Sequence, residues 1–347
     1  MHTVKPITEP DRSRLFFSTI FLHSSTLIGA HTYYKKPVEK ESSLVTKAVV
    51  IVNPTSGKEE GEEYGPEVKR ELEKLYSEVE LRWTEGEGDA TRFAREACHE
   101  EVDAIYALGG DGTVNECING IAPEDYRPPF GFIPLGTVND LGRVLDIPMN
   151  PKKAVEKLTE RTKRVIDVGK INDQYFVDIV AIGSIPDAVH EVPIEKKTKL
   201  GPLAYVIEGV KAINEKEVYP FKFNVDGEKL NEDSFLVLVA LTNSVAGITT
   251  MIPEASVDDG YLHLVVVRGD TIAEKINLVP KIFTGNVTDD ENVLYRKFSK
   301  GSISLKEGYE KEIVTNVDGD EGDSLPIDLE VKKHHMTVFV PDTDNNK

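Results

Sequence analysis

Short apolar runs alternate with stretches of helical periodicity between Lys47 and about residue 164. Four runs predict strands: Ala48–Val52, Val79–Trp83, Val102–Leu108 and Phe130–Pro134. Between them, Val68, Leu72 and Leu75 fall at i, i+4 and i+7, which predicts a helix. Asp89 can cap another helix that extends to Cys98, and residues 114–121 predict a third. Repeated β-α-β units of this kind indicate an α/β fold with a parallel sheet covered by helices on both faces.

The pattern changes after about residue 164, where strand-like runs dominate. The runs are Val165–Val168, Tyr175–Ala181, Phe221–Val225, Phe235–Leu241, Tyr261–Val267, Ile303–Leu305 and Ile313–Val317. Turn signals separate many of them, including Asn172-Asp173, Asp226-Gly227 and Asp259-Gly260. We expect a second, mainly antiparallel domain, a β-sandwich rather than a barrel, with one helix near 202–213.

Residues 1–46 differ in composition from the rest of the chain. Arg12 and Arg14 precede an apolar run over 15–30 that serines and a histidine interrupt. The run is short and broken for a membrane span, and a secretory signal would conflict with the cytosolic character of the remainder. We therefore expect a flexible N-terminal extension, with a segment that touches a membrane as the alternative.

The most informative stretch is the glycine loop Gly109–Thr113, which lies between a predicted strand and a predicted helix. Glycines let the backbone approach an anion, and a helix N-terminus offers unpaired N–H groups, so this arrangement suits phosphate. Asp111 would repel phosphate unless a cation lies between them, and a Mg-nucleotide site resolves that conflict. Two further loops, Asn53–Gly57 and Gly136–Asp140, also follow strands, so all three should share one sheet edge.

Charge and cysteine content narrow the function classes. The 347-residue chain has a net charge of −19, which argues against general nucleic-acid binding. Residues 151–170 run against this trend with seven basic and three acidic side chains; they form either a solvated helix face, capped by Asn150-Pro151, or a patch for anionic lipid. Cys98 and Cys117 form no CxxC pair, so neither a disulfide framework nor a zinc site is indicated, and a reducing cytoplasm fits.

Five motifs in order resemble the diacylglycerol kinase catalytic family, most of all its soluble bacterial members. They are NPTSG at 53–57, GGDGTVNE at 109–116, PLGTVND at 134–140, DDGYL at 258–262 and VDGD at 317–320. NAD kinases and 6-phosphofructokinases carry sequences related to GGDGT, but the motif order disfavours them. The resemblance implies a nucleotide-binding α/β domain at 47–165, a β-rich lipid-substrate domain at 166–334, and a segment near His335–Val340 that returns to the first domain, which would then include about 335–347.

The resemblance also implies a set of nucleotide contacts. They are Asn53, Pro54, Thr55, Ser56, Gly57, Thr84, Gly110, Asp111, Gly112, Thr113, Val114, Asn115, Glu116 and Thr137. Gly110 and Gly112 would admit the phosphates, while the Thr113 and Thr137 hydroxyls would bind phosphate or metal-bound water. Asn53 and Asn115 would fix the loops. For Thr84, ordinary turn chemistry is an equal alternative.

Two Mg²⁺ sites follow from the same resemblance. Asp111 and Asp140 would share metal-bound water over the β- and γ-phosphates, although Asp140 could instead be a helix N-cap. A second, structural Mg²⁺ would bind the Ser256 carbonyl, the Asp259 side chain and the Tyr261 carbonyl. A plain Asp-Gly turn is the alternative there.

The family places its general base in an Asp-Gly-Glu sequence, for which this chain has Asp318-Gly319-Asp320. Asp320 is one methylene shorter than glutamate. Either Asp318 is the base, or Asp320 acts through a water or a small loop shift. With Asp111, these carboxylates are the candidate catalytic residues.

The function implied is an ATP- and Mg²⁺-dependent kinase that phosphorylates diacylglycerol to phosphatidic acid. We expect a cytoplasmic homodimer that docks peripherally on the inner membrane face, with 151–170, Lys196, Lys197 and Lys199 as candidate contacts. The alternatives are a kinase for another hydroxylated lipid and a nucleotide-binding regulatory protein with weakened catalysis. The pair His334-His335 has no metal-like partner in the sequence and is interpreted as structural.

Overall fold

A computed structural model describes residues 46–183, 218–244, 247, 252–268, 278, 281 and 288–342. Val45–Lys347 forms one compact unit. The predictions for residues 1–45, for a helix near 202–213 and for Lys196, Lys197 and Lys199 lie outside the described residues.

The first half builds the predicted β-α-β units. Its elements are β1 (Lys47–Val52), α1 (Ser56–Leu72), β2 (Glu78–Trp83), α2 (Asp89–His99), β3 (Ala104–Gly109), α3 (Asp111–Ile121), β4 (Phe130–Pro134), α4 (Asp140–Val144) and α5 (Pro151–Glu156). The strands β2, β1, β3 and β4 pair in that order, and every pair is parallel. All six residues of β3 are buried, as expected for an inner strand with helices on both faces.

The helices follow the apolar spacing with small differences. Val68 and Leu72 of α1 are fully buried, but Leu75 lies beyond the end of the helix and is 40% exposed, so the prediction for Leu75 was wrong. Helix α2 begins at Asp89 with Gly88 as its N-cap, and the Asp89 carboxylate instead accepts the N–H groups of Glu85 and Gly86. In α5, Asn150 caps the helix as predicted, since its side chain accepts the Lys153 N–H.

The second half is mainly antiparallel. Its strands are β5 (Arg161–Ile171), β6 (Gln174–Phe176), β7 (Ile179–Gly183), β8 (Tyr219–Val225), β9 (Glu228–Ser234), β10 (Leu236–Ala240), β11 (Leu262–Val267), β12 (Val293–Phe298), β13 (Lys300–Leu305), β14 (Val314–Val317), β15 (Asp320–Ser324) and β16 (Ile327–Pro341). Strands β12, β11, β10, β7, β14 and β15 form one sheet in that order. A shared apolar core joins this sheet to β8, β13 and the first part of β16, which is the predicted sandwich.

Strand β16 links the two halves. Its first residues pair with β13 and its Val338 pairs in parallel with Phe130 of β4, so one sheet continues from the parallel strands into the sandwich. A register shift between Lys332 and Met336 bends the strand between these two partners.

The predicted strand Tyr175–Ala181 is two strands instead of one. It breaks at Val177-Asp178, where both backbone N–H groups donate to the Asp318 carboxylate rather than to a neighbouring strand. By contrast, Asp226-Gly227 makes the predicted two-residue hairpin, between β8 and β9, with φ of 48° and 88°. Within the described part of the chain, no helix has the length and apolar content needed to cross a membrane.

Candidate active site

The three predicted loops meet at the carboxyl edge of the parallel strands. The Leu135 N–H donates to the Gly109 carbonyl oxygen at 2.8 Å, and the Asn53 N–H donates to Leu108 at 3.0 Å. Gly110 and Gly136 pack backbone to backbone, because a β-carbon on Gly136 would lie 2.8 Å from the Gly110 Cα. Side chains there would force the second and third loops apart, so glycine at both positions sets their spacing.

A cleft of about 270 Å³ opens beside these loops. Asn53 organises its floor: its Nδ2 donates to Thr113 Oγ1 at 3.1 Å, and its Oδ1 accepts the Thr55 N–H and hydroxyl at 3.1 and 3.0 Å. The Thr84 N–H donates to the Val52 carbonyl at 2.9 Å, which brings the end of β2 to the same place. The first two loops and the segment after β2 thus form one wall.

Six of the fourteen predicted nucleotide-binding residues line the cleft. They are Asn53, Pro54, Thr55, Thr84, Thr113 and Glu116. The cleft is also lined by four residues that were not predicted: Glu85, Gly86, Glu87 and Ala90. The first three follow β2 closely, and a position after a strand is the signal that selected the other loops. Thr137 is exposed in the third loop.

Asp111 holds the third loop. Its Oδ2 accepts the Asn139 N–H at 2.8 Å and its Oδ1 accepts the Asp140 N–H at 2.9 Å. Helix α3 already begins at Asp111, with Gly110 as its N-cap, so the carboxylate lies at a helix N-terminus, where negative charge is favoured. It therefore connects the second loop to the third.

Asp140 is buried at the start of α4. Its Oδ1 accepts the Ser244 hydroxyl at 2.6 Å and the Gly247 N–H at 2.8 Å. Asn139 occupies the N-cap position of α4, so the alternative of Asp140 as an N-cap was wrong. The β-rich part of the chain thus holds the third loop through the Asp140 carboxylate.

Asp318 is anchored by three backbone donors. Its Oδ2 accepts the Val177 N–H at 2.8 Å, and its Oδ1 accepts the N–H groups of Asp178 and Ile179 at 3.0 and 2.8 Å. Removal from water raises the pKa of Asp318 to about 6, and these hydrogen bonds limit the rise. Asp318 also lines an inner cavity of about 10 Å³ with Asp111, Asn115 and Asp178, which has room for about one water.

Asp320, two residues later, is exposed and faces the glycine loop. A β-carbon on Gly112 would lie 4.0 Å from its Oδ2. Partial loss of solvent, followed by the nearby charge of Glu87, raises the pKa of Asp320 above its usual range. Residues 318–320, called the carboxylate turn below, therefore present one anchored carboxylate and one that points toward the glycine loop.

The oxygen donors at this edge suit Mg²⁺, which prefers carboxylates and keeps several waters. Burial raises the pKa of Asp178 well above its usual range. The nearby charges of Asp318, Asp140 and Asp111 raise it further. Among the residues with described coordinates, no three His, Cys, Asp or Glu side chains converge to hold a metal on their own. The carboxylates of Asp111 and Asp140 fit Mg²⁺, because this ion is commonly held by one or two carboxylates together with water and substrate phosphates.

The DDGYL turn also offers oxygen donors. Asp259 Oδ1 accepts the Tyr261 N–H at 3.0 Å, and Oδ2 lies 3.0 Å from His263 Nε2 and 3.7 Å from Lys297 Nζ. Burial lowers the pKa of His263, and its Nδ1 lies 2.7 Å from the Tyr295 hydroxyl. When the His263 imidazole is neutral, it accepts a hydrogen bond from the Tyr295 hydroxyl and donates one to Asp259, which orients that carboxylate. The Asp259 carboxylate and the carbonyl oxygens of Ser256 and Tyr261 are ligands that fit Mg²⁺.

Several basic side chains of 151–170 are already engaged. Arg161 lies over the Phe339 ring and donates to the Leu158 carbonyl, and Arg164 pairs with Asp258 at 2.8 Å. Lys157 pairs with Glu160 at 2.6 Å. This stretch is therefore not one continuous free cationic face.

His334 and His335 have the expected structural surroundings. The His334 N–H donates to Asp167 Oδ1 at 2.7 Å, while His335 Nε2 lies 2.8 Å from the Ala122 carbonyl and stacks on Tyr175. These contacts join β16 to β5, to β6 and to the end of α3.

Comparison with known proteins places this architecture. A family model described as the diacylglycerol kinase catalytic domain matches residues 47–171, and one described as a YegS C-terminal NAD kinase beta sandwich-like domain matches 180–340. Diacylglycerol kinases of Staphylococcus aureus strains RF122 / ET3-1 and MRSA252 are each 37% identical over 295 residues, covering 85% of this chain and 92% of the relative.

Solved structures agree. The crystal structure of a diacylglycerol kinase from Bacillus anthracis str. Sterne superposes with a TM-score of 0.72 at 28% identity, covering 88% of this chain and 99% of the other. A second crystal structure from the same organism gives a TM-score of 0.75 at 28% identity and the same coverage. The fold is that of a diacylglycerol kinase, with an α/β half and a β-sandwich half. The chain belongs to the diacylglycerol kinase family.

Proposed function

We propose that this protein transfers the γ-phosphoryl group of ATP to the free hydroxyl of diacylglycerol, giving phosphatidic acid and ADP. The observation that carries the proposal is the placement of the Asp320 carboxylate opposite Gly112, in the loop that the motif assigns to phosphate. Among the residues that the structure describes, no hydrogen bond or ion pair holds this carboxylate, and a general base must face the transferred phosphate. A regulatory protein without catalysis would not need this arrangement.

The reaction divides its tasks among the residues of the cleft. The lipid hydroxyl oxygen attacks the γ-phosphorus, the bond to the β–γ bridging oxygen breaks with its electron pair on ADP, and the hydroxyl proton passes to Asp320. Because the transition state is loose, Asp320 contributes chiefly by orienting the nucleophile. Asp318 keeps the turn in place through its three backbone contacts.

Nucleotide binding falls to the first two loops and the segment after β2. The N–H groups at the start of α3 and the Thr113 hydroxyl serve the phosphates, and Asn53 fixes both loops. Asp111 and Asp140 would hold Mg²⁺ through water, and the ion would neutralise charge on the β- and γ-phosphates when bound.

Diacylglycerol resides in membranes, so we propose that the protein docks peripherally on a membrane. We also propose that it is cytoplasmic and a homodimer. Since Arg161 and Arg164 are engaged internally, Lys152 and Lys153 on the exposed side of α5 are the better candidate lipid contacts within 151–170.

Transfer of labelled γ-phosphate from Mg-ATP to a panel of hydroxylated lipids in mixed micelles tests the proposal. We expect label in phosphatidic acid with the wild type and its loss with Asp111→Ala and Asp320→Asn. Label in a different lipid would keep the chemistry and replace the acceptor. No transfer to any lipid, with ATP still bound, would refute the proposed activity.

A further inference from the structure

A buried hydrogen-bonded chain runs between the carboxylate turn and the third loop. Asp178, Thr242, Ser244 and Asp140 are each at most 7% exposed. Thr242 Oγ1 lies 3.0 Å from Asp178 Oδ1 and 3.0 Å from the Ser244 carbonyl oxygen, and the Ser244 hydroxyl donates to Asp140 at 2.6 Å. These residues come from the loop before β7, the end of β10 and the start of α4, so the chain joins three separate elements.

Each end of this chain touches a part of the reaction machinery. At one end, the Asp178 N–H donates to the Asp318 carboxylate, which anchors the turn that carries Asp320. At the other, the Asp140 N–H donates to Asp111 in the glycine loop. The proposed base and the glycine loop lie on different halves of the molecule. This series of hydrogen bonds connects them directly.

We propose that Asp178 is a positioning residue for phosphoryl transfer. Through Thr242, Ser244 and Asp140, it holds the carboxylate turn in place relative to the third loop. The inference rests on the proposed function, because it assigns Asp178 a part in that same reaction. Reacting groups must be held within fractions of an ångström, and a displacement of about 1 Å can cost about 10²-fold in rate.

The hydrogen count favours Asp178 as the donor in the first link. A hydroxyl has one proton, so Thr242 can donate either to Asp178 or to the Ser244 carbonyl, but not to both. The Ser244 N–H donates to Thr242 Oγ1 at 3.3 Å, so this oxygen can accept one further hydrogen bond. If Asp178 donates to Thr242, the hydroxyl donates onward to the carbonyl and every contact in the chain is satisfied.

A neutral Asp178 agrees with its surroundings. Burial, and after it the nearby charges of Asp318, Asp140 and Asp111, raise the pKa of Asp178 and favour the protonated form. An amide at this position could donate to Thr242 in the same way. The chain therefore depends on a hydrogen-bond donor at 178 rather than on a negative charge.

The test uses Asp178→Ala, Thr242→Val and Ser244→Ala, with Asp178→Asn as the conservative variant. Ser234→Ala is the matched control, since Ser234 is a fully buried hydroxyl bonded to Leu236 and Val267, remote in sequence from the chain. We expect the first three variants to lower kcat for diacylglycerol about tenfold or more. The Kd for ATP should change less than about threefold, because Asn53, Thr55 and Thr113 hold the nucleotide cleft through separate contacts.

Asp178→Asn should keep at least about half of the wild-type kcat. The double variant Asp178→Ala/Thr242→Val should be no slower than the slower single variant, since both remove the same link. A wild-type kcat in Asp178→Ala would overturn the proposal, and so would an Asp178→Asn enzyme as slow as Asp178→Ala, because a charge rather than a donor would then be needed.

Hydrogen exchange separates this inference from the proposed function. Amides of residues 136–144 should exchange faster in Asp178→Ala and Ser244→Ala, and at the wild-type rate in Ser234→Ala. If the wild type phosphorylates no lipid, the proposed function fails while this coupling is still measured. Unchanged exchange in the third loop of Asp178→Ala would refute the coupling itself.

Discussion

The carboxylate of Asp320 lies over Gly112, with its Oδ2 4.0 Å from the place that a β-carbon on that glycine would occupy. Asp318, by contrast, is bound by three backbone N–H groups. Asp320 is one methylene shorter than the glutamate of the family's Asp-Gly-Glu sequence. The exposed carboxylate turn nevertheless brings this shorter side chain to the glycine loop. The two acids thus have different surroundings, and Asp320 is the one that we propose as the general base.

Asp320→Asn should lower kcat about 10²-fold or more, because the amide cannot accept the hydroxyl proton. The melting temperature should change little, since the side chain is exposed. Steady-state phosphorylation of diacylglycerol measures the first and thermal denaturation the second. Asp320→Glu should remain active, because the open side of the turn can take the extra methylene.

Glu321→Gln is the control for Asp320→Asn, since Glu321 is the next acidic residue on β15 and is likewise exposed. It should keep the wild-type kcat. If Asp320→Asn behaved like Glu321→Gln, Asp318 would have to be the base despite its backbone contacts.

Asp318 should make stability depend on pH. Folded Asp318 holds its proton up to a pKa of about 6, whereas the unfolded chain releases it near 4. The native state therefore binds more protons between these values, and the free energy of unfolding falls as pH rises through that window and then levels off. The fall attributable to this group is on the order of 3 kcal/mol.

Urea denaturation of the wild type and Asp318→Asn between pH 4 and pH 7 measures this effect. The variant should be less stable overall, because an amide nitrogen cannot accept a backbone N–H, but its stability should fall less across the window. Asp173→Asn, at a fully exposed position, should follow the wild-type curve. Parallel curves for the wild type and Asp318→Asn would show that folding leaves the pKa of Asp318 unchanged.

Local patterns predicted the parallel half well, because three of its four apolar runs are buried on both faces and end at a glycine-containing loop, whereas β2 at the sheet edge alternates. The run Phe130–Pro134 coincides with β4. The break between β6 and β7 was not predictable, since it depends on Asp318, which lies 141 residues from Val177 in sequence. Asp178 was missed for the same reason: nothing nearby in the chain distinguishes it from a turn residue, and its role depends on Thr242, 64 residues away.

The link between Asn53 and Thr113 should matter for nucleotide affinity. Asn53→Ala removes the donor to Thr113 and the acceptor for Thr55, so we expect the Kd for ATP to rise about tenfold, equivalent to one or two hydrogen bonds. Titration calorimetry measures it. Thr162→Val changes an exposed residue of β5 and should leave the Kd unchanged. An unaltered Kd in Asn53→Ala would mean that the loops keep their positions without this side chain.

Removal of the Asp259 carboxylate should separate structural metal binding from catalysis. If Mg²⁺ binds at Ser256, Asp259 and Tyr261, millimolar Mg²⁺ without nucleotide should raise the melting temperature of the wild type, because a ligand that binds only the folded state stabilises it. Asp259→Asn should lose most of this increase, whereas Asp173→Asn should retain it. The readout is independent of turnover, so it does not depend on the ion that accompanies ATP. An equal Mg²⁺-induced increase in Asp259→Asn and the wild type would place the stabilising ion elsewhere, and the hydrogen bonds from His263 and Tyr261 would then account for this turn by themselves.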